Sequence, residues 1–549
     1  MSELDGFSDL DVRYESRRSP VYARNGIVST TQPLAAQAGL QMLRAGGNAA
    51  DAAVATAAAL AVVEPTGTGI GGDCFALFFD ASTKQVHAVN GSGRAPAALS
   101  IDTLAAHGFT DEMPRLNAHA VTVPGAVAGW ADTLARHGRM SLDEVLSGAI
   151  ALAEDGFPVS PIISYLWEQE VPKARAASPN GDELLLDGRA PRPGEIWRNT
   201  GLASVLREVA DGGVAAYYEG RAAREILRVL QAQDGLMEAS DLASHYSTFD
   251  APISTKFRGH TVYECPPNGQ GLTALIALNI VEGLGIGDLP RRSPERLHLL
   301  IEAARLAFFE ARAHIADPEK NGVPVERLLS DAHSLELRSR LDPGQRIDLA
   351  EGVPLAAGTD TVYLSVVDGE GNACSFINSN YSGFGTGIIP EGCGFSLQNR
   401  GAGFSLDPSH PNALAPGKRP YHTIIPAMTT DPNGELHASF GVMGGWMQPQ
   451  GHLQVLVSML VDGLDPQAAI DEPRFCIRAD PPNSPVHLED GIPVATMSVL
   501  AALGHEVVPV SGIRRSPVFG RGQIIVRDPQ SGVLIAGSDP RGDGAAVGY

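Results

Sequence analysis

The segment GTDTVYLSVVD, residues 358–368, begins a strand pattern abruptly at Thr361. Thr is common in strands and Asp in turns, so the step from Asp360 to Thr361 has an ordinary structural interpretation. It also has a chemical one. If the peptide bond before Thr361 is cut, the new α-amine stands on the same residue as the hydroxyl and can act as its base. Because an α-amine has a pKa of about 7.7–8.0, it is usable at neutral pH.

A hydroxyl nucleophile also needs hydrogen-bond donors for the oxyanion that forms on the attacked carbonyl. Gly444 and Gly445 end a strand pattern and stand ahead of a helix pattern. Two adjacent backbone N–H groups in that place could form an oxyanion hole. An ordinary turn between the two elements explains the same pair, and the sequence leaves both interpretations open.

Two further glycine clusters have structural explanations. Residues 67–72, GTGIGG, match the GxGxxG pattern of dinucleotide sites, but a helix pattern precedes them and a strand pattern follows. That order is the reverse of what a dinucleotide site requires, so we expect a tight turn. Residues 378–387, NSNYSGFGTG, are best explained as a hairpin turn between two strands. The sequence contains no GxSxG, HExxH or P-loop motif, which argues against the corresponding hydrolases and NTPases.

The elements that would position these residues follow from hydrophobic periodicity. Residues 31–47 and 48–65 predict two consecutive helices, with a Gly-Gly pair ending the first and Asn48 capping the second. A long amphipathic helix is predicted at 294–318. Helical patterns therefore dominate the first part of the chain.

A polar stretch that contains Gly and Pro, at about 341–358, predicts a linker or exposed loop. Strand patterns dominate beyond it. The predicted strands include 361–368, 373–380, 394–399, 427–431 and 436–445, and a helix is predicted at 451–464. The succession of helices and then strands indicates an α+β or layered α/β protein.

The composition describes a globular protein: 549 residues, of which 44% are hydrophobic and 19% charged. With 41 basic and 63 acidic side chains the net charge is −22, which argues against nucleic acid and anionic membranes as partners. Five widely spaced cysteines without a CxxC motif favour a reduced compartment over a disulfide framework or zinc site. The polar N-terminus lacks a secretory pattern, and the Ala-rich run at 49–63 is shorter than the roughly 20 residues of a membrane span. We expect a soluble, cytoplasmic protein.

Seven segments in order along the chain resemble one family. They are GGNAADAAVATAAALAVVEP, GIGGDCFAL, AVTVPGAVAGW, CPPNGQGLTALIALNIVEG, TVYLSVVDGEGNA, GFGTGI and VMGGWMQPQGHLQ. These segments are similar to the γ-glutamyltransferase (glutathione hydrolase) family of N-terminal-nucleophile hydrolases. The resemblance implies a four-layer αββα sandwich of the α+β class, made as an inactive precursor that cuts itself before a Thr. Residues 1–360 would form the large (α) subunit and residues 361–549 the small (β) subunit of one catalytic unit, and a dimer of such units stays open.

The same resemblance assigns roles to individual residues. The family's nucleophile corresponds to Thr361, so that cleavage would fall between Asp360 and Thr361. Its supporting hydroxyl, which hydrogen-bonds the nucleophile, corresponds to Ser379, and its oxyanion-hole glycines correspond to Gly444 and Gly445. The resemblance implies no metal and no organic cofactor. The expected partner is a small-molecule amide, whose acyl group passes to the Thr and then to water or an amine.

The γ-glutamyl pocket of the family is not retained. The Arg that holds the substrate α-carboxylate corresponds to Ser92, with Arg94 two residues away, and the acidic residue for the α-amine corresponds to Gly403. The remaining pocket positions, an Asn and a Ser-Ser pair in the family, correspond to Tyr381, His422 and Thr423. Without the acidic residue, a γ-glutamyl group would lose a charge-assisted contact of about 1.5–3 kcal/mol.

This pattern is more similar to the acylase-like branch of the family, which includes oxamate amidohydrolases and cephalosporin or glutaryl acylases. Substrates of that branch carry a carboxylate and need no α-amine. Arg94 could clamp the carboxylate, since a guanidinium binds it bidentately, and His422 could donate to the acyl group. A structural ion pair for Arg94 and a packed, hydrogen-bonded position for His422 are open alternatives. The expected substrate-binding residues are Arg94, Tyr381, His422 and Thr423.

We therefore expect a self-processing amidohydrolase or acyltransferase that works through an acyl-Thr intermediate, with a carboxylate on the acyl group. Two alternatives stay open. The protein could be a true γ-glutamyltransferase or glutathione hydrolase, if Arg94 and other groups recreate the pocket. It could also be a non-catalytic binding homologue whose chain stays uncut.

Overall fold

Two antiparallel sheets face each other in the computed structural model, which describes residues 18–349, 360–477 and 483–549. The strands are β1 (Val21–Ala23), β2 (Gly26–Thr30), β3 (Asp73–Asp80), β4 (Gln85–Gly91), β5 (Phe157–Pro158), β6 (Ile196–Trp197), β7 (Ile253–Phe257), β8 (His260–Glu264), β9 (Asp360–Asp368), β10 (Ala373–Tyr381), β11 (Ala427–Thr430), β12 (Leu436–Met443), β13 (Phe475–Ile477), β14 (Val486–Glu489), β15 (Val507–Val510), β16 (Arg521–Arg527), β17 (Leu534–Ser538) and β18 (Ala545–Gly548). The helices are α1 (Pro33–Arg44), α2 (Ala49–Val63), α3 (Ile101–Ala106), α4 (Ala126–His137), α5 (Leu142–Asp155), α6 (Pro161–Ala177), α7 (Thr200–Tyr218), α8 (Arg221–Gln231), α9 (Ala239–Ala243), α10 (Gly271–Glu282), α11 (Pro294–His314), α12 (Val325–Leu328), α13 (Asp331–Ser339), α14 (Met447–Leu460), α15 (Pro466–Asp471), α16 (Val494–Ala502) and α17 (Arg515–Phe519). The predicted linker at 341–358 is described as far as residue 349, and its remainder lies outside the described residues.

The two large sheets place β9 in a central position. One sheet has seven strands in the order β1-β17-β16-β12-β11-β8-β7, and the other has six in the order β18-β2-β9-β10-β3-β4. β9 pairs antiparallel with both β2 and β10. Because successive strand residues point to opposite faces, Thr361, Tyr363 and Ser365 share one face of β9. The hydroxyls of Ser365 and of Ser439 in β12 lie 2.6 Å apart, so this face looks toward the seven-stranded sheet.

Each large sheet has one face against the other sheet and one face against helices. Phe75, Tyr363, Met428 and Ile525 are among the buried side chains between the sheets. α1, α2 and α4 cover the outer face of the six-stranded sheet, with α5 packed on α2, and α10 and α14 cover that of the seven-stranded sheet, with α11 packed on α10. The layers therefore follow the order helix, sheet, sheet, helix, which confirms the predicted αββα sandwich of the α+β class.

The start of α2 is determined by two side chains. Oδ1 of Asn48 accepts hydrogen bonds from the backbone N–H groups of Ala50 and Asp51, and Oδ2 of Asp51 accepts from the N–H of Asn48. This capping box satisfies N–H groups that a helix start otherwise leaves unpaired. All 15 residues of α2 are buried, which explains why the run is apolar on every side. The two consecutive helices predicted here, and the long one at 294–318, are confirmed by α1, α2 and α11.

Two local predictions are wrong. Residues 394–399 form no strand, and the chain after β10 does not return as the second strand of a hairpin. Both segments are loops that hydrogen-bond to each other, as in the bond from the Thr386 N–H to the carbonyl oxygen of Leu397 (2.9 Å). Positive φ angles at Tyr381 (79°) and Phe384 (50°) turn the backbone out of the strand direction.

Within the described ranges, no helix is long and apolar enough to cross a bilayer. All five cysteine side chains are buried thiols. Residues 1–17, which include most of the polar N-terminus, lie outside the described residues.

Candidate active site

The hydroxyl of Thr361 lies at the start of β9, on the face between the two sheets. Thr361 is 1% exposed, and its Oγ1 is 3.1 Å from Oγ of Ser379 in β10. The pairing of β9 with β10 shifts register between Asn378 and Tyr381, an irregularity of the kind that re-aims side chains. The two residues predicted as nucleophile and supporting hydroxyl therefore lie at hydrogen-bond distance.

A buried arginine to which the sequence did not point joins these hydroxyls to the predicted pocket. Arg400 is fully buried, and it donates from Nη2 to Ser379 Oγ (3.3 Å) and from Nη1 to Thr423 Oγ1 (2.8 Å). Its guanidinium lies 4.2 Å from the ring centroid of Tyr381, whose backbone N–H donates to Ser379 Oγ (2.9 Å). The available signal was a single charged residue in the otherwise uncharged segment GFSLQNRGAGFSL.

The two predicted oxyanion glycines form the turn between β12 and α14. Gly444 has a φ of +131° and Gly445 a φ of +56°, conformations that favour glycine. Nε2 of Gln270 donates to the carbonyl oxygens of Gly445 (2.9 Å) and Thr423 (2.5 Å), which links this turn to the Arg400 group. In the part of the chain that the structure describes, neither glycine N–H is used in a hydrogen bond, so both can serve an oxyanion.

The register between the facing sheets brings this turn close to the start of β9. Ser365 contacts Ser439, and the ring of Tyr363 lies against Gly441, where an added Cβ would come within 2.5 Å of it. Each step of two residues along β9 thus matches a step of two residues back along β12. Continued by one more step, this register would set Thr361 opposite Met443, the last residue of β12, directly before the two glycines.

His422, a predicted pocket residue, is packed between a carboxylate and an aromatic ring. Its Nε2 is 3.1 Å from Oδ2 of Asp73, and its ring centroid is 4.8 Å from that of Phe75. The imidazole is fully buried. These contacts match the packed, hydrogen-bonded alternative, and a donor role for His422 toward the acyl group stays a prediction.

The pair of Asp73 and His422 carries its charge on the carboxylate. Burial raises the pKa of Asp73 to about 6, and Arg400 and the hydrogen-bond donors of Asp73 oppose that rise. Burial, together with Arg400 and Arg419, holds the pKa of His422 well below its usual range. At pH 7 a neutral imidazole therefore donates to an ionised carboxylate. The other oxygen of Asp73 accepts from three donors, which are Gln398 Nε2, the Gly93 N–H and the Gly125 N–H.

Arg94, the predicted carboxylate clamp, is engaged with protein groups. Its Nη2 donates to both carboxylate oxygens of Glu319, at 3.0 and 3.1 Å, and its guanidinium lies 4.1 Å from the ring centroid of Tyr246. The structural ion pair that the sequence left open is therefore present. Among the described residues, no hydrogen bond joins the Arg94 side chain to Thr361 or Ser379. A clamp role for Arg94 stays a prediction.

The glycine cluster at 67–72 packs against the candidate nucleophile. A Cβ on Gly67 would lie 3.4 Å from the carbonyl oxygen of Thr361. The Asn380 N–H donates to the carbonyl oxygen of Gly67 (3.2 Å), and Nδ2 of Asn378 donates to Oγ1 of Thr68 (2.7 Å). The predicted tight turn is confirmed. Its contacts join the start of β9 to the end of β10 beside the candidate site.

Comparison with known proteins gives a consistent result. The family model described as Gamma-glutamyltranspeptidase matches residues 35–549. The chain is 39% identical to the glutathione hydrolase-like YwrD proenzyme of Bacillus subtilis (strain 168), over 94% of this chain and 97% of that one. It is 34% identical to the oxamate amidohydrolase proenzyme of Klebsiella pneumoniae, over 96% and 98%. The crystal structure of cephalosporin acylase from Bacillus halodurans matches with a TM-score of 0.90 and 44% identity, over 98% of both chains.

Proposed function

The chain belongs to the gamma-glutamyltranspeptidase family of N-terminal-nucleophile amidohydrolases, and from that premise we propose a nucleophile and a substrate for it. Thr361 is the nucleophile, exposed by self-cleavage after Asp360 into subunits of residues 1–360 and 361–549. The substrate is an amide whose acyl group carries a carboxylate and no γ-glutamyl α-amine. The observation that carries this proposal is the contact of Thr361 with Ser379 at the start of a central strand, beside the buried cation of Arg400.

Self-cleavage uses the hydroxyl of Thr361 and the peptide bond that precedes it, at the start of β9. Thr361 Oγ1 attacks the carbonyl carbon of Asp360, and the peptide C–N bond breaks as an ester C–O bond forms, so that the nitrogen becomes the α-amine of Thr361. Water then hydrolyses the ester, which yields the carboxylate of residue 360 and restores the hydroxyl. The relatives from B. subtilis and K. pneumoniae are both called proenzymes, which supports a precursor here.

The mature site then runs an acyl-transfer cycle. The α-amine of Thr361 takes the hydroxyl proton, directly or through water, as Oγ1 attacks the substrate carbonyl. The oxyanion accepts hydrogen bonds from the N–H groups of Gly444 and Gly445. The protonated amine gives its proton to the leaving nitrogen, and the acyl-Thr ester remains. Water, deprotonated by the same amine, attacks the ester and releases the acid; an amine in place of water would give transfer.

Replacement of Ser379 tests the supporting hydroxyl. We expect Ser379→Ala to slow both self-cleavage and amide hydrolysis roughly 10²-fold, because Thr361 Oγ1 loses the group that orients it. Ser379→Thr keeps a hydroxyl at the same place and should retain most of both rates. Gel densitometry follows the appearance of the two fragments, and steady-state assays give kcat. An Ala variant as fast as the wild type excludes this role.

The pocket favours an acyl group without an α-amine. An added Cβ at Gly403, the position of the family's ammonium-binding residue, would lie 2.8 Å from the carbonyl oxygen of Tyr421. The backbone there leaves no space for an acidic side chain. The carboxylate that does act on Arg400, that of Asp73, already accepts hydrogen bonds on both oxygens. A substrate ammonium group would therefore gain little, whereas a substrate carboxylate meets a buried cation.

Two anilides that differ only in the α-amino group test this substrate class. We expect the matured enzyme to release p-nitroaniline faster from glutaryl-p-nitroanilide than from γ-glutamyl-p-nitroanilide, by about 10- to 100-fold in kcat/KM, since the ammonium lacks its charged partner. Absorbance of the released p-nitroaniline gives both rates. Faster release from the γ-glutamyl compound would instead favour true γ-glutamyl transfer or glutathione hydrolysis.

A further inference from the structure

No carboxylate of the described residues pairs with the cation beside the candidate nucleophile. Arg400 is fully buried, and its two hydrogen bonds go to the uncharged hydroxyls of Ser379 and Thr423. Its Nε makes no hydrogen bond with any residue that the structure describes. Across the described ranges, no Asp or Glu side chain forms an ion pair with it.

Two other buried arginines of the chain lie against carboxylates. Nη2 of Arg474 is 2.8 Å from a carboxylate oxygen of Asp539, and Nη2 of Arg541 is 2.5 Å from one of Glu489. Such pairing is the usual state of a buried charge, because an unpaired one loses its hydration without compensation. Arg400 departs from that pattern at the place where a substrate is expected.

The charge of Arg400 is retained at neutral pH. Burial lowers its pKa to about 10, while Tyr381 and Asp73 act in the opposite direction, so the guanidinium stays protonated. Asp73 acts only through space, since its oxygens are occupied by other donors. A guanidinium has five N–H donors, and those on Nε and the unused hydrogens on Nη1 and Nη2 suit bidentate binding of a carboxylate.

We propose that Arg400 binds the substrate carboxylate and restricts the substrates to monoamides of short dicarboxylic acids, an inference that rests on the function proposed above. Ser379 Oγ is 3.3 Å from Arg400 Nη2 and 3.1 Å from Thr361 Oγ1. The cation and the nucleophile thus contact the same hydroxyl from two sides. A carboxylate on Arg400 therefore lies close to the carbonyl that Thr361 attacks.

This geometry sets the length of the acyl group. In oxamate the carboxylate is bonded directly to the amide carbon, and in malonamate one methylene separates them. Both can reach Arg400 and Thr361 at the same time. Succinamate and glutaramate place the carboxylate further away, and each must fold back to keep both contacts. Arg94 is less suited to the task, because it already binds the carboxylate of Glu319.

Binding of the product dicarboxylates tests the proposal without turnover. Isothermal titration of the matured enzyme with oxalate, malonate, succinate and glutarate should give the highest affinity for one of the two shortest acids. Arg400→Gln should weaken that affinity about 10- to 100-fold, the effect of losing a charge-assisted contact. Arg207→Gln, which removes an exposed arginine paired with Glu154, should leave it unchanged. Equal affinities in wild type and Arg400→Gln, or a loss found in Arg94→Gln instead, overturn the proposal.

Kinetics with amides of the same acids provide the second measurement. Ammonia release should fall in kcat/KM from the short to the long monoamides, and Arg400→Gln should raise KM for oxamate or malonamate far more than for neutral propionamide. If Arg400→Gln does not fold or mature, Arg400→Lys is tested in its place. Lys keeps the positive charge but cannot bind a carboxylate bidentately, so the affinity for the dicarboxylate should fall about tenfold. An affinity equal to that of the wild type in this variant refutes the proposal. If dicarboxylates bind and their affinity depends on Arg400, but no amide is hydrolysed, the proposed function is refuted. The role of Arg400 in carboxylate binding would then still stand.

Discussion

We expect Thr361→Ala to yield a protein that stays uncut and inactive. Without the hydroxyl there is no nucleophile for the bond after Asp360, so neither subunit forms. In the absence of cleavage residue 361 also has no α-amine, and the base of the mature site is missing as well. Amide hydrolysis should fall by roughly 10⁶-fold, the scale found when a catalytic nucleophile is removed. Intact-mass measurement after long incubation reports the cleavage, and ammonia release reports the activity.

Thr361→Ser is the matched control for this variant. It keeps the hydroxyl and the α-amine after cleavage, and it loses only a methyl group at the start of β9. We expect it to mature and to hydrolyse substrate at a reduced rate. Cleavage or activity that persists in Thr361→Ala would show that another group attacks, and a binding function of the uncut chain would gain support.

We expect Gly444→Ala to lower kcat by roughly 10²- to 10³-fold, the range for loss of one oxyanion donor. The φ of +131° at this position is unfavourable for Ala. An added Cβ would also lie 3.1 Å from Cα of Gly520 and 3.3 Å from Cβ of Met447, which forces the turn to move. Such a movement would displace the N–H groups of Gly444 and Gly445 that we propose as oxyanion donors. Because the donors act on the transition state, KM should change little.

Gly463→Ala controls for the backbone strain. Gly463 also has a positive φ, +67°, but an added Cβ there meets no atom within 4 Å, and the residue follows α14 far from the two glycines in sequence. This variant should keep the kcat of the wild type with a small loss in melting temperature. A Gly444→Ala enzyme that is folded, matured and fully active would rule out the oxyanion role. Circular dichroism and thermal melts establish folding in both variants.

Local sequence rules predicted the parts of the fold that rest on local physics. Asn48 caps α2 because its side chain reaches N–H groups two and three residues ahead, a contact that the sequence alone specifies. The strand from Thr361 follows from its alternation, but its central place in the six-stranded sheet does not, because strand order depends on contacts between residues far apart in sequence. The segment 394–399 was mistaken for a strand because its alternation resembles one, while its hydrogen bonds go to a neighbouring glycine-rich loop.

The residues of the candidate site that lie in sequence motifs could be predicted. The residues that matter only because distant segments meet in the folded chain could not. Thr361 and Ser379 were both selected from the sequence, and the structure brings their hydroxyls to 3.1 Å. Arg400 was missed, because its significance depends on the contacts of separate chain segments that meet only after folding and on the absence of a carboxylate partner among the described residues. Arg94 was chosen for its residue type and its position near a motif, which could not reveal its pairing with Glu319.

Mass spectrometry of the enzyme quenched in acid during turnover tests the central claim, that Thr361 is a nucleophile released by self-cleavage. With the monoamide that the enzyme hydrolyses fastest as substrate, the small subunit should begin at Thr361 and a fraction of it should gain the mass of that substrate's acyl group. Fragment spectra should place that group on residue 361. A chain that is uncut between Asp360 and Thr361 yet active, or an acyl group on any other residue, would contradict the account.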